Sequence, residues 1–353
     1  MHKAVVLCEH NLIDWRLRYA AGDAPAALPY EVDSLERAGI SVDAYGVWAG
    51  RIPTKARHVV EHRLGYSVQV PLAASAAVTR ADVVLALLER EAILPSLFKR
   101  HKVPPYGRKP LVVWSVWLAD DIRNADSDRR AEILRRFESA DLITHMSPDE
   151  RETFVDLGIP EERLFTFTYG VSHEYYRPGD GPRDIPVLAV GQDRGRDYAT
   201  LFAGVKGTRL SVDVVCKPEN LTGLAVPDNV RIHAPVGHRA YRALLQRAQV
   251  VAIPTRVMSY PTGSSVALEA AASGCVVAVT DTPAMRRYVT DETGLLVPPG
   301  DPLAWRTVLT MVHDDAAARE RLGQAARESV VATFNAQHMW RELADVMRAR
   351  GIL

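Results

Sequence analysis

Cysteine is scarce here, with only Cys8, Cys216 and Cys275 in 353 residues, each in or beside an apolar run. An odd, scattered and buried-looking set argues against a disulfide framework or a zinc site and fits a reducing cytoplasm. Net charge is absent as well. The 43 Lys and Arg balance the 43 Asp and Glu, so no overall field draws the chain to nucleic acid or acidic lipid. No apolar run approaches the roughly 18 residues that cross a bilayer. The opening Met1–Asn11 has too short an apolar stretch for a signal peptide and reads as a first strand. Solenoid repeats and low-complexity tracts are also missing. The expectation is a cytoplasmic chain, with peripheral contact at the inner membrane face and the oligomeric state left open.

What is present is a strand–helix rhythm. Strands are predicted at Ala4–Glu9, Ile40–Tyr45, Ala81–Leu88, Leu111–Trp117, Leu142–His145 and Leu164–Tyr169, with helices at Tyr30–Ala38, Ala73–Thr79, Ile93–His101, Ser127–Ser139 and Pro148–Leu157. His10–Pro29 reads as a long loop with a helical piece, and 46–72 as a loop. Pro178–Pro186 is dense in Pro and Gly and reads as a linker. The rhythm then restarts, with strands near Val187–Val190, Val212–Cys216, Val230–His233, Gln249–Pro254, Cys275–Thr280 and Gly294–Val297. Intervening helices include Tyr198–Lys206, Tyr241–Ala248 and one from Ala284, and three more close the chain. Alternation of this kind means parallel sheets with crossover helices. The expected fold is α/β, with two Rossmann-like doubly wound domains facing a cleft. Their bounds are expected at 1–178 and 179–334, with a final helical segment, 335–353, packing back on the first. Ligands in such sheets bind at the carboxyl ends of the strands.

The stretch Tyr260–Gly274 carries the clearest chemistry. Gly263, Ser264 and Ser265 open an Ala-rich helix between two apolar runs. Glycine lets a ligand approach the backbone, and the first-turn amides and helix dipole suit a phosphate. Glu269 follows one and a half turns later, where a carboxylate can accept from ribose hydroxyls. Together they outline a nucleotide-sugar site, although strand–Gly–helix turns also occur where nothing binds. Gly191–Tyr198 is a second Gly-containing loop opening a helix. Its Arg194 and Arg196 could hold a pyrophosphate and offset charge on a departing diphosphate, or form an exposed basic turn. Lys217 adds a further cation or a solvated side chain.

At this point the chain resembles the retaining glycosyltransferases of family 4, which have the GT-B fold. The resemblance runs through Ala140-Asp141 with Ser147, Tyr169-Gly-Val171 with Tyr176-Arg-Pro178, and Val190-Gly191 with Arg196 and Tyr198–Leu201. It continues through Val236, Leu244-Leu245 and Ala248, then Leu268-Glu269-Ala270, Gly274–Val277 and Gly294–Asp301. It implies that Arg196 stands beside the diphosphate, that Glu269 holds the ribose, that Ser264-Ser265 meet the distal phosphate and that the Pro235-Val236 loop meets the base. Gly191, Gln192, Arg194 and Lys217 complete the implied phosphate side. The chain departs from the family in several places: Arg196 takes the place of a Lys, and Glu9-His10-Asn11 stands where a Gly-Gly usually follows the first strand. Pro261 stands where the first Glu of a Glu-x7-Glu pair would read the donor sugar, and Gln192 stands where an Arg is usual.

The implied reaction is front-side glycosyl transfer from a nucleoside-diphosphate sugar, a UDP sugar first among them, to a hydroxyl of a natural product, envelope lipid or saccharide. No cofactor and no metal are expected. Asp126-Ser-Asp128 matches an Asp-x-Asp pattern but reads as helix capping. A same-fold epimerase or phosphorylase, or a non-catalytic nucleotide-sugar binder, stands as the alternative. Weaker candidates for the donor sugar or acceptor are Glu9, His10, Trp117, Asp120 and His145. Each has a plain structural explanation too, His145 as a satisfied buried imidazole and Trp117 as packing.

Overall fold

The computed structural model describes residues 1–48 and 51–353, with side chains placed for all of these except 51–56 and 58. The chain divides into two compact units, Met1–Thr168 with Gln337–Leu353, and Tyr169–Ala336. The division comes ahead of the Pro178–Pro186 stretch rather than at it. The intervening residues belong with the second unit, where Val171 bridges to Asn335 and Tyr176 is buried in the core.

The first unit runs β1 (His2–Leu7), α1 (Leu12–Ala20), β2 (Ile40–Tyr45), α2 (Arg51–Leu64), α3 (Gln69–Val78), β3 (Val83–Leu87), α4 (Glu89–Arg100), β4 (Leu111–Trp114), α5 (Leu118–Arg123), α6 (Ser127–Phe137), β5 (Leu142–His145), α7 (Pro148–Asp156) and β6 (Leu164–Thr166). The second runs β7 (Ile185–Val190), α8 (Tyr198–Val205), β8 (Val212–Val215), β9 (Val230–His233), α9 (His238–Arg247), β10 (Ala248–Ile253), α10 (Ser264–Ala272), β11 (Val276–Thr280), β12 (Leu295–Val297), α11 (Pro302–Asp314) and α12 (Ala316–Ala332). A last helix, α13 (Ala336–Ala349), returns to the first unit.

Each unit holds a six-stranded sheet, ordered β2-β1-β3-β4-β5-β6 in the first and β12-β11-β10-β7-β8-β9 in the second. Every neighbouring pair is parallel. Helices cover both faces, so the central strands are continuous apolar runs; β3, β4 and β11 are buried from end to end. In the first unit α13 contributes Trp340 to the core. Its Nε1–H donates to the Tyr30 carbonyl at 2.8 Å, and its ring lies 6.0 Å from Trp114 and 5.8 Å from Phe167.

Several expected loops are helical. Asn11 caps α1 by accepting from the amides of Ile13 (3.0 Å) and Asp14 (3.3 Å), and Leu12 and Trp15 bury one face. Within the expected 46–72 loop lie α2 and the start of α3. Val68 offers α3 no cap of its own; Glu61 supplies it from the preceding helix, accepting from Val68 N (2.7 Å) and Gln69 N (3.0 Å). The strand expected to reach Trp117 stops at Trp114. Glu89 Oε1 gathers the amides of Val116, Trp117 and Leu118 and turns the chain into α5. The helix expected from Ala284 is a single 3-10 turn, Met285–Arg287.

Candidate functional site

Strand order in the second sheet reverses between β10 and β7. The loops leaving two such strands diverge to opposite faces and open a crevice at their carboxyl ends. Here they carry Gly191–Asp197 after β7 and Pro254–Gly263 after β10. They are stitched together by an antiparallel bridge between Arg196 and Thr255 and by the amide of Arg256 donating to the Gly195 carbonyl at 2.8 Å.

Arg196 occupies this crevice. It is only 7% exposed, and its Nε and Nη1 have no hydrogen-bond partner. Burial pulls the guanidinium's pKa down, against the upward pull of Tyr198 and Asp193, yet the group stays charged at neutral pH. Two glycines make room for it. A Cβ on Gly191 would lie 1.9 Å from Arg196 Nε, and one on Gly263 would lie 2.5 Å from Nη1. Gly263 has φ +89° and starts α10 without a side-chain cap, while Ser264 is buried directly after it. The guanidinium therefore lies at the amino end of a nine-residue helix whose first-turn amides no side chain covers. Both features attract an anion.

The residues that hold this crevice in shape were not singled out in the sequence. Asp193 accepts from the Gly195 amide (2.7 Å), the Thr262 hydroxyl (2.6 Å) and the Tyr260 hydroxyl (2.9 Å), tying the two loops together. Burial raises its pKa, but these donors and the Arg196 charge outweigh that and leave it below the usual range. An acidic residue among cations was the available signal; its partners lie 67 and 69 positions further on.

Glu269, on α10, is the other expected carboxyl. It is half-buried, and burial pushes its pKa up to about 7 although Tyr241 and Tyr176 act to lower it. The Tyr176 and Tyr241 rings pack edge to face at 6.0 Å. Tyr241 stands on α9, which follows the exposed Pro235-Val236 loop. Lys217 and Gln192 are exposed, and Asn220 joins them by accepting from the Lys217 amide (3.2 Å) and donating to the Gln192 carbonyl (3.4 Å). Arg194 is exposed on the same loop, within reach of Tyr260.

The remaining candidates belong to the first unit. Glu9 is exposed and accepts from the Tyr30 hydroxyl at 3.4 Å. The His10 ring packs 5.0 Å from Trp15 and 5.5 Å from Tyr30, and burial lowers its pKa. His145 is enclosed. Its Nδ1 meets the Ser147 carbonyl (3.0 Å) and its Nε2 the Thr166 hydroxyl (3.3 Å), so both ring nitrogens are occupied within the core. Trp117 lies at the start of α5 with its amide held by Glu89, and Asp120 is buried on that helix. Asp126 caps α6, accepting from the Arg129 amide at 2.8 Å. Among the described residues no group of three or more His, Cys, Asp or Glu could hold a metal ion, and no helix is long and apolar enough to cross a membrane.

Residues 197–315 match the family model described as Glycosyl transferases group 1. Among curated proteins, a D-inositol 3-phosphate glycosyltransferase from Kineococcus radiotolerans is 32% identical over 237 residues, covering 54% of each chain. One from Streptomyces avermitilis is 30% identical over 177 residues, 48% of this chain and 36% of that protein. The chain thus spans between about a third and about half of these relatives. Among solved structures, sucrose-phosphate synthase from Thermosynechococcus elongatus superposes with a TM-score of 0.72 at 17% identity, covering 99% of both chains. HepE from Anabaena, solved in complex with UDP and glucose, superposes with a TM-score of 0.67 at 14% identity, covering 99% of this chain and all of that one. The chain has the GT-B fold of these structures, and its second unit carries the sequence pattern of glycosyl transferases group 1.

Proposed function

We propose that this protein is a glycosyltransferase that moves a sugar from a nucleoside diphosphate, most simply UDP, to an acceptor hydroxyl with retention at the anomeric carbon. The observation that carries this reading is Arg196, a buried guanidinium with two unpartnered nitrogens at the amino end of α10. The anomeric C–O bond to the diphosphate breaks as the bond to the acceptor oxygen forms on the same face, and the acceptor's proton leaves with the departing diphosphate. Charge accumulates on that diphosphate. A fixed cation and helix amides stabilise it without reorganising, so the step calls for no metal. Glu269 takes the ribose hydroxyls, and Pro235-Val236 contact the base. The names of the curated relatives support glycosyl transfer, and the UDP held by HepE supports the donor class.

Incubation with UDP-, GDP-, ADP- and dTDP-hexoses and an acceptor panel that includes D-inositol 3-phosphate tests this reading. Release of nucleoside diphosphate with a product of unchanged anomeric configuration is expected. Binding without donor consumption for every acceptor would contradict transfer. Pro261 and Gln192 favour a second reading, a non-catalytic nucleotide-sugar binder; tight nucleotide binding with no donor consumed across the acceptor panel would support it.

A further inference from the structure

Asp193 and Arg196 stand three positions apart on one loop, yet no ion pair joins them. The carboxylate turns to Tyr260, Thr262 and the Gly195 amide, while the guanidinium keeps Nε and Nη1 unpartnered. A buried charge is costly unless it is paired or hydrogen-bonded, and here the carboxylate is satisfied while the guanidinium is not. Holding them apart leaves one side of the crevice suited to an anion and another suited to hydroxyl donors. A ligand that carries a diphosphate and a polyhydroxylated ring meets both.

The carboxylate's own bonding points the same way. Oδ1 takes the Gly195 amide and the Thr262 hydroxyl, and the Tyr260 hydroxyl is shared between Oδ1 at 2.9 Å and Oδ2 at 3.1 Å. Oδ2 thus retains acceptor capacity on a side chain that is not fully buried. Its two hydroxyl donors flank Pro261, the position whose side chain offers no acceptor. A carboxylate does stand at this corner of the second unit, delivered from the loop after β7.

We propose that Asp193 is a specificity-determining residue that accepts a hydroxyl of the donor sugar, in place of a side chain at position 261. This rests on the nucleotide-sugar reading above. A purely structural Asp193, a staple between the two loops, would make a different prediction.

The test uses whichever of UDP, GDP, ADP and dTDP binds, and its tightest hexose conjugate among glucose, galactose, mannose and N-acetylglucosamine, titrated into the protein and into D193N. An Asn Oδ1 can accept the same three bonds, so the loops keep their shape. The bare diphosphate should bind D193N within about threefold of the parent, and the conjugate about tenfold more weakly, the loss expected for a bond to a charged acceptor. A parallel weakening of both ligands, or no change in either, overturns the proposal. A second measurement needs only the parent: conjugates lacking one sugar hydroxyl should include one that binds about tenfold more weakly. Equal binding of every deoxy conjugate overturns the proposal even if D193N fails to fold. Failure of all four bare diphosphates to bind the parent is a separate result, which refutes the nucleotide reading and this proposal with it.

Discussion

The Arg196 guanidinium lies directly over Gly191, where a Cβ would fall 1.9 Å from Nε and 2.3 Å from Cζ. No real side chain tolerates that approach, so G191A must displace a buried cation. The expected result is a loss of nucleotide affinity of at least about tenfold, with a stability cost of about 1–3 kcal/mol from overpacking. Calorimetry and thermal melting check the two effects separately.

Arg196 itself opposes stability in the unliganded protein, because it is charged, buried and incompletely bonded. R196M should therefore melt higher than the parent, by an amount reflecting roughly 1 kcal/mol or more of relieved desolvation. It should also bind nucleoside diphosphates at least about tenfold more weakly, and lose more in turnover than in ground-state binding. A variant that melts lower and binds normally would show that Arg196 is a structural residue.

Glu269 gives a pH signature. Burial lifts its pKa from the ordinary carboxylate value to about 7. Between the unfolded value and 7 the folded protein holds the proton more tightly. Stability is therefore lost as pH rises through that window and is not regained above it. E269Q carries no ionisable group there, so its melting temperature should exceed the parent's at pH 8 by the equivalent of about 1–3 kcal/mol and match it near pH 4. Glu91 and Glu150, raised to about 7 and about 8 by burial, are common to both proteins and cancel. Ribose hydroxyls favour the ionised carboxylate, so parent affinity for nucleotide should rise from pH 6 to pH 8. E269Q should remove that rise.

Trp340 tests the assignment of α13 to the first unit's core. W340A removes a fully buried ring packed against Trp114 and Phe167, together with a hydrogen bond to Tyr30. A loss of about 3–5 kcal/mol in stability is expected from denaturant unfolding. A loss below about 1 kcal/mol would place the helix outside the core.

The architecture was legible because parallel strands covered on both faces are written as unbroken apolar runs, such as Val83–Leu87 and Val276–Thr280. The errors fell where a distant residue decides local structure. Glu61 caps α3 from an earlier helix, and Glu89 ends β4 from another crossover; neither can be seen within a local window. The candidate site divides in the same way. Gly263 and Arg196 could be read from a glycine at a helix start and a cation on a Gly-containing loop. Asp193 could not, because its partners Tyr260 and Thr262 are far along the chain. Tyr176 belonged to the resemblance with no role attached, and Tyr241, which with it flanks Glu269, carried no local motif.

The central claim is that Arg196, seated between Gly191 and Gly263, receives a nucleoside diphosphate. The most direct measurement is calorimetric titration of UMP and UDP, with the GDP, ADP and dTDP pairs alongside, into the parent and R196M. The account predicts that at least one diphosphate binds the parent at least about tenfold more tightly than its monophosphate, and that this gap closes in R196M. Equal affinities for mono- and diphosphates in the parent, or a gap that survives in R196M, would contradict it.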